Sequence, residues 1–151
     1  MLTILAWLVL RIVFAGFFLY ACYGFVRNWP AAKQTATLIY PRYANFQAIS
    51  MLIWMFVISI SILLGIYGRI GGALALLFSS IGAYAHYTCA HKLTSIQLST
   101  TATDEDKKLL EEAKAIGMVG HVTSAQKNYV IAAMSFFFML LGTGPWSVTY
   151  L

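Results

Sequence analysis

The sequence has very little negative charge. Of its 151 residues only 5 are acidic, all between Asp104 and Glu112, and charged residues of both signs make up 10%. A soluble domain carries roughly 25% charged residues. Because hydrophobic residues reach 60%, a chain of this length cannot hide its apolar side chains in a water-soluble fold. The composition excludes a soluble enzyme and a disordered chain, and it indicates a single membrane domain over residues 1–151.

Cysteine is scarce, and the sequence lacks the common catalytic signatures. The two cysteines, Cys22 and Cys89, form neither a CxxC pair nor a metal-ligand spacing, so no metal centre is predicted. We interpret both as small apolar fillers; the alternative, a disulfide between helices, conflicts with the reducing compartment assigned to them below. Phosphate-binding loops, nucleophile elbows and zinc-protease motifs do not occur. The sequence therefore names no catalytic residue and disfavours an enzyme acting alone.

Four long apolar runs predict four membrane-spanning helices. Each approaches the ~20 residues that a helix needs to cross ~30 Å of hydrocarbon, and lipid-exposed backbone must satisfy its polar groups internally. The predicted spans are residues 2–26, 48–67, 70–90 and 129–146. The predicted fold class is all-α, a four-helix transmembrane bundle, in which the glycine-rich turn Gly65–Gly72 joins the second and third helices.

The longest polar stretch separates the third and fourth spans. It covers residues 92–126, with Thr103 as a predicted N-cap and Gly117 as a predicted helix stop. Leu109 and Ile116 share one helical face. The pattern predicts a short amphipathic helix in this loop, which either rests on the bilayer or is a solvated connector.

The basic residues predict the orientation in the membrane. They outnumber the acids ten to five but are scattered singly, which favours anionic lipid headgroups over nucleic acid as their partner. With four spans, both termini and Arg69 share one side. The other side carries Arg27, Lys33, Arg42, Lys92, Lys107, Lys108 and Lys114. By the positive-inside rule, the loops at residues 27–47 and 92–126 are cytoplasmic, and a bacterial inner membrane is the expected location.

Arg11 is a cation inside the first apolar run. It is roughly 14 Å from the start of that helix at ~1.5 Å per residue, near the expected midplane, where a charge costs ~3 kcal/mol or more. The predicted spans hold no carboxylate, so its candidate partners are hydroxyls, freed backbone carbonyls, water, or the head of an anionic or quinone-like ligand. The alternative is that Arg11 snorkels to the surface. The hydroxyls expected at similar depth belong to Ser59, Ser79, Ser80 and Ser135.

Of the three histidines in the sequence, His86 is the one that lies inside a predicted span. It is either a neutral side chain bonded to a neighbouring hydroxyl, or a group that bonds a quinone or transfers a proton. Haem between helices needs two axial ligands. His91 points away and His121 is predicted in the polar loop, so haem is not expected. The predicted ligand-binding residues are Arg11, Ser59, Ser79, Ser80, Tyr84 and His86.

Several short motifs, in their order, resemble the DoxX family of small four-helix membrane proteins. They are Leu10-Arg11…Gly16…Gly24-Phe-Val-Arg27, Pro41, Leu63-Leu-Gly65-Ile-Tyr-Gly-Arg69, His86, Lys127-Asn128 and Gly142-Thr-Gly144-Pro145-x-Ser147. The sequence departs from the family pattern at two acids. The glutamate of the second helix is replaced in the region of Trp54-Met55, and the aspartate after the terminal serine is replaced around Thr149.

The resemblance implies an accessory subunit of a membrane respiratory or redox complex, with quinone as the implied cofactor and other membrane subunits as partners. Two other hypotheses stay open. One is a standalone binder or transporter of a lipid or small molecule. The other is a non-catalytic scaffold or assembly factor that packs on other proteins through small residues. Those residues are Gly71, Gly72, Ala75 and Ala83.

Overall fold

In a computed structural model, which describes residues 2–38 and 40–149, the chain folds into helices joined by short connections. The described part contains α1 (Leu2–Arg27), α2 (Trp29–Ala36), α3 (Ala44–Leu64), α4 (Gly68–Thr94) and α5 (Asp104–Leu141). The predicted all-α class is confirmed for these residues. Within them, α1, α3 and α4 are long and apolar enough to cross a membrane. Helix α5 is longer, but its sequence is more polar.

The hydrophobic core lies where α1, α3, α4 and α5 meet. Phe18 of α1, Ile58 of α3, Ala75 of α4 and Phe138 of α5 are all buried there. The outward faces of the same helices expose large apolar side chains. An apolar exterior of this extent is what a lipid environment favours and water does not.

Small residues of α4 face the neighbouring helices of the same chain. A Cβ atom added to Gly72 would lie 2.8 Å from the backbone carbon of Phe138, and one added to Gly71 would lie 2.8 Å from Cβ of Ser61. Ala75 and Ala83 are buried as well. These small residues are therefore buried within the chain, with Gly71 packed on α3 and Gly72 packed on α5.

Helix α5 is continuous through the predicted polar loop. Thr103 is its N-cap, as predicted, and forms a capping box with Asp106. The predicted stop at Gly117 is wrong, because one helix runs from Asp104 to Leu141. The apolar run predicted as a fourth span at 129–146 is therefore not a separate helix, and most of it lies in the C-terminal part of α5. A Cβ atom at Gly117 would lie 2.9 Å from a methyl carbon of Leu93. Packing on α4 thus outweighs the ~1 kcal/mol that glycine costs within a helix.

The connection between α1 and α3 contains a short helix that the sequence reading placed in a loop. Asn28 is the N-cap of α2, since its side chain accepts a hydrogen bond of 3.2 Å from the amide of Ala31. Pro30 occupies the first turn, where its missing N–H is not needed. An N-cap followed by proline was the local signal for this helix.

The turn between α3 and α4 lies earlier in the chain than predicted. Helix α3 covers Ala44–Leu64 rather than 48–67, and α4 covers Gly68–Thr94 rather than 70–90. Gly65 closes α3 with φ of 67°, a left-handed conformation that glycine adopts without strain. A Cβ atom at Gly65 would also lie 2.6 Å from Cα of Ser147, so the close approach of the C-terminal segment requires glycine here too.

Residues 142–149 fold back over that turn. The amide of Val148 donates to the carbonyl of Leu64 at 3.1 Å, and the amide of Thr149 donates to the carbonyl of Gly65 at 3.1 Å. Gly144 lies against the indole of Trp7 in α1. We call this end of the bundle the turn end. The opposite end, with residues 28–38, 40–43 and 95–103, is the loop end.

Candidate functional site

A cavity of about 520 Å³ lies in the half of the bundle toward the loop end, between all five helices. Its lining is mostly apolar and aromatic. The lining residues of α1 and α2 are Phe17, Phe18, Ala21, Phe25, Thr35 and Ala36; Leu38 follows α2; α3 supplies Phe46, Gln47, Ser50, Met51, Trp54 and Met55; α4 and α5 supply Phe78, Ile81, Gly82, Ala85, His86, Ser124, Lys127, Asn128 and Ile131. A volume in the range of roughly 300–1,000 Å³ is typical of small-molecule pockets.

Aromatic rings form the deep part of the cavity. Phe78 of α4 makes an edge contact with Phe18 of α1 at a centroid distance of 5.9 Å, and it lies 6.4 Å from the ring of Trp54 of α3. Phe18 also contacts Phe14, at 5.3 Å. These rings join three helices and give the cavity an apolar, preformed wall.

Polar groups converge at the other end of the cavity, near the loops. Gln47 is held at the start of α3, because its amide nitrogen donates to the carbonyl of Tyr40 at 2.7 Å and to that of Arg42. Asn128 donates to the carbonyl of Ser124 at 3.1 Å. We call Gln47, His86, Ser124, Lys127 and Asn128 the polar rim. The cavity therefore has an apolar body and one polar end.

His86 of the rim is hydrogen-bonded to His121. The two Nδ1 atoms are 3.0 Å apart, so one imidazole must carry its proton on Nδ1 and the other must accept it. The prediction that His121 lies in a loop is wrong, since it belongs to α5 and packs against α4. In the residues described, no group of three or more histidine, cysteine or acidic side chains is arranged to hold a metal ion.

Arg11 lies outside the cavity, toward the turn end, where its side chain is 3% exposed. It donates through Nε to the carbonyl of Ile62 at 3.1 Å, and through its two terminal nitrogens to those of Leu63 at 2.5 Å and Pro145 at 3.2 Å. Two of these acceptors are in the last turn of α3. Arg11 is thus level with the end of that span rather than its middle, and the freed carbonyls among its predicted partners are the ones it contacts.

The other predicted site residues are not part of the cavity lining. Ser59 donates to the carbonyl of Met55 at 2.7 Å, and Ser80 donates to that of Leu76 at 2.8 Å, both within their own helices. Ser79 is buried, and its hydroxyl has no partner among the described residues. Tyr84 is 64% exposed. The fourth hydroxyl proposed near Arg11 follows the same pattern, with Ser135 donating to the carbonyl of Ile131 at 2.7 Å.

The structure therefore brings one predicted site residue, His86, into the cavity and adds residues that sequence reasoning did not assign. The sequence does not predict Lys127, Asn128 or Gln47 as site residues, and it predicts His121 in the polar loop. One feature of the local sequence indicated these polar residues, though weakly. It is the Lys127-Asn128 pair at the start of the expected fourth span. Cys22 and Cys89 are both free thiols.

Comparison of the chain with family models, with curated proteins and with solved structures gave no match, so the resemblance to the DoxX family rests on the quoted motifs alone.

Proposed function

We propose that this chain is an integral membrane protein with four spans that binds a lipid-soluble small molecule in the cavity between its five helices. The observation that carries this proposal is the cavity itself, about 520 Å³ of mostly apolar lining with the polar rim at one end. Pockets of this kind bury the apolar body of a ligand and orient it by a few polar groups. A molecule with an oily body and a polar head matches that distribution.

The fourth span is the C-terminal half of α5. This half runs antiparallel along α4, since Gly72 lies against Phe138 and Gly82 lies against Asn128. Residues from about 123 to 141 are then level with the apolar part of α4. About 19 residues of helix cover ~28 Å, which is close to the hydrocarbon thickness. Four crossings also put residues 142–149 on the same side as the α3–α4 turn that they contact.

Ligand binding is tested by filling the cavity. Ala21→Phe adds a ring at a residue of the lining, and we expect the protein purified in mild detergent to lose most of the small molecule that mass spectrometry finds in the parent. The matched control is Ala133→Phe, at an exposed alanine outside the lining. Equal ligand content in both variants, or none in the parent, contradicts the proposal.

A second candidate function is an accessory subunit of a membrane respiratory or redox complex, as the DoxX resemblance implies. The observation that favours it is the placement of His86 at the rim, where its imidazole is hydrogen-bonded to that of His121. An imidazole N–H suits the carbonyl oxygen of a quinone head, and imidazole transfers protons near neutral pH. The partners are then other membrane subunits, and the cofactor is a quinone held in the cavity.

Purification in gentle detergent separates the two candidates. An accessory subunit co-migrates with other membrane proteins in stoichiometric amounts, and quinone appears in the extract. A chain that migrates alone with a non-quinone lipid supports the binder and contradicts the accessory subunit. We place the protein in a bacterial inner membrane with residues 27–47 and 92–126 in the cytoplasm, because the basic residues concentrate there.

A further inference from the structure

We propose that the polar rim is a site for an anionic headgroup, a carboxylate or phosphate on a single acyl chain, held between Lys127 and the His86–His121 pair. This inference rests on the proposed binding function and specifies the chemistry of the ligand. The apolar body of the cavity takes the chain, and the rim takes the charge.

The charge balance at the rim is positive. Of the described residues that line the cavity, Lys127 is a cation, His86 is an imidazole and none is acidic. The ion pairs of the described chain join Lys107 to Asp104 and Lys114 to Glu111, so Lys127 has no acidic partner there. Glu112, the last acid in the sequence, is 15 residues away on the same helix. That is ~22 Å of helix, well beyond the screening length of about 8–10 Å at physiological salt.

The histidine pair is able to supply a second positive charge. In the neutral pair, one Nδ1 donates to the other, and the accepting imidazole carries its hydrogen on Nε2. One added proton leaves the Nδ1 to Nδ1 hydrogen bond in place and puts a hydrogen on both Nε2 atoms. The pair is then a cation. A bound anion stabilises this state, and the proton is taken from water.

Two neighbouring amide groups of the polar rim are already engaged. The amide nitrogen of Gln47 donates to the carbonyls of Tyr40 and Arg42, and one N–H of Asn128 donates to the carbonyl of Ser124. Lys127 and the histidine pair are the donors at this end of the cavity that can carry a positive charge. The titratable and charged groups that face His86 are His121 and Lys127, both on α5. The cavity residues supplied by α1, α2 and α3 are phenylalanine, alanine, threonine, glutamine, serine, methionine and tryptophan. They add no charge that would compete with the headgroup.

The test compares anionic and neutral single-chain lipids on the full chain in detergent, by native mass spectrometry. The probes are oleate, oleoyl lysophosphatidate, neutral mono-olein and a neutral short-tailed ubiquinone. We expect at least one anionic probe to bind ten times more tightly than both neutral ones, and Lys127→Gln to remove most of that preference. Lys108→Gln, at an exposed lysine of α5 outside the lining, should leave it unchanged. Preference for oleate, for the phosphate or for both identifies the headgroup.

A second measurement isolates the histidine pair. Hexadecyl sulfonate keeps its charge at all working pH values, so its affinity reports the protein alone. We expect the affinity to rise several-fold as the pH falls from about 8 to about 4.5, a window that extends below the ordinary imidazole range because the neighbouring cation Lys127 opposes protonation of the pair, and His121→Gln to flatten this rise. Neutral probes that bind as tightly as anionic ones, or a flat pH profile in the parent, overturn the anionic site while the binding function stands. Failure of every probe overturns both.

Discussion

At the residue scale, the most constrained side chain is the buried Arg11. The last carbonyls of an α-helix have no partner within the helix, and those of α3 are satisfied from elsewhere in the chain. Arg11 bonds the carbonyls of Ile62 and Leu63, and the amide of Val148 bonds that of Leu64. The partial negative charge of a helix C-terminus favours a cation at this position. Arg11 is therefore a C-terminal cap of α3, which explains how it is tolerated without a carboxylate.

Replacing Arg11 should destabilise the fold. Arg11→Met leaves the carbonyls of Ile62 and Leu63 unpaired, at about 1–3 kcal/mol each. We expect the free energy of unfolding, measured in mixed micelles with increasing denaturing detergent, to fall by about 2 kcal/mol or more. Arg11→Lys keeps the charge but loses the planar array of donors. Its free energy of unfolding should be intermediate between those of the parent and of Arg11→Met. A methionine variant as stable as the parent contradicts the capping role.

Asp106, outside the predicted spans, gives a pH-dependent helix start. Hydrogen bonds from the Thr103 hydroxyl and from the Thr103 amide lower the pKa of Asp106 below its ordinary 3.8. A depressed folded pKa means that this stabilisation is present above pH 3.8 and is lost as the pH falls through the lowered value. The Cα chemical shifts of Asp104–Lys107 should move toward coil values in that acid range. In Asp106→Asn this transition should be absent; its persistence contradicts the assignment.

At the element scale, α4 and α5 form a close pair because glycine brings their backbones together. Gly72→Ala places a methyl group 2.9 Å from the carbonyl oxygen of Ser135, and a contact this close forces the two helices apart. We expect a loss of about 1–3 kcal/mol in the free energy of unfolding.

The matched control for Gly72 is Gly16 in α1, where an added Cβ meets nothing within 4 Å. Gly16→Ala should raise stability by about 0.4–1 kcal/mol, since it lowers the entropy of the unfolded chain. If the two variants behave alike, the close approach of α4 and α5 is not the cause.

The sequence predicted the elements well where the pattern is local. Apolar runs located α1, α3 and α4 to within a turn, and the Thr103 cap located the start of α5. The continuity of α5 was missed because Gly117 is a helix stop by propensity, and packing on Leu93 reverses that preference. The sequence alone does not determine which groups Arg11 bonds, because its partners depend on how α3 and the C-terminal segment dock.

The candidate site depends on distant residues, and this is why most of it was missed. His86 and His121 are 35 positions apart in the sequence, and their contact follows from the antiparallel register of α4 and α5. That register is set by glycines such as Gly72 and Gly82 meeting one strip of α5. Because Gly117 predicts a helix stop, the sequence places His121 in a loop and Lys127 outside any site.

At the scale of the whole molecule, the proposed arrangement of four spans makes a topological prediction. In a background with Cys22 and Cys89 replaced by alanine, the single-cysteine variants Thr101→Cys at the loop end and Val148→Cys at the turn end should react with an impermeant thiol reagent from opposite sides of the membrane. Both residues are exposed. Cytoplasmic labelling of Thr101→Cys agrees with the basic loops facing inward. Labelling of both variants from one side contradicts four spans.

The contact between Arg11 and α3 differs from an ordinary ion pair in the conditions that can break it. A carboxylate partner is lost when acid protonates it, and an exposed pair weakens when electrolyte shields it. Amide oxygens gain no proton in the physiological range, and this group is sealed from the solvent. The contact between α1 and α3 should therefore withstand low pH and high ionic strength alike. Heat or a solvent that dissolves the lipid should be needed to break it.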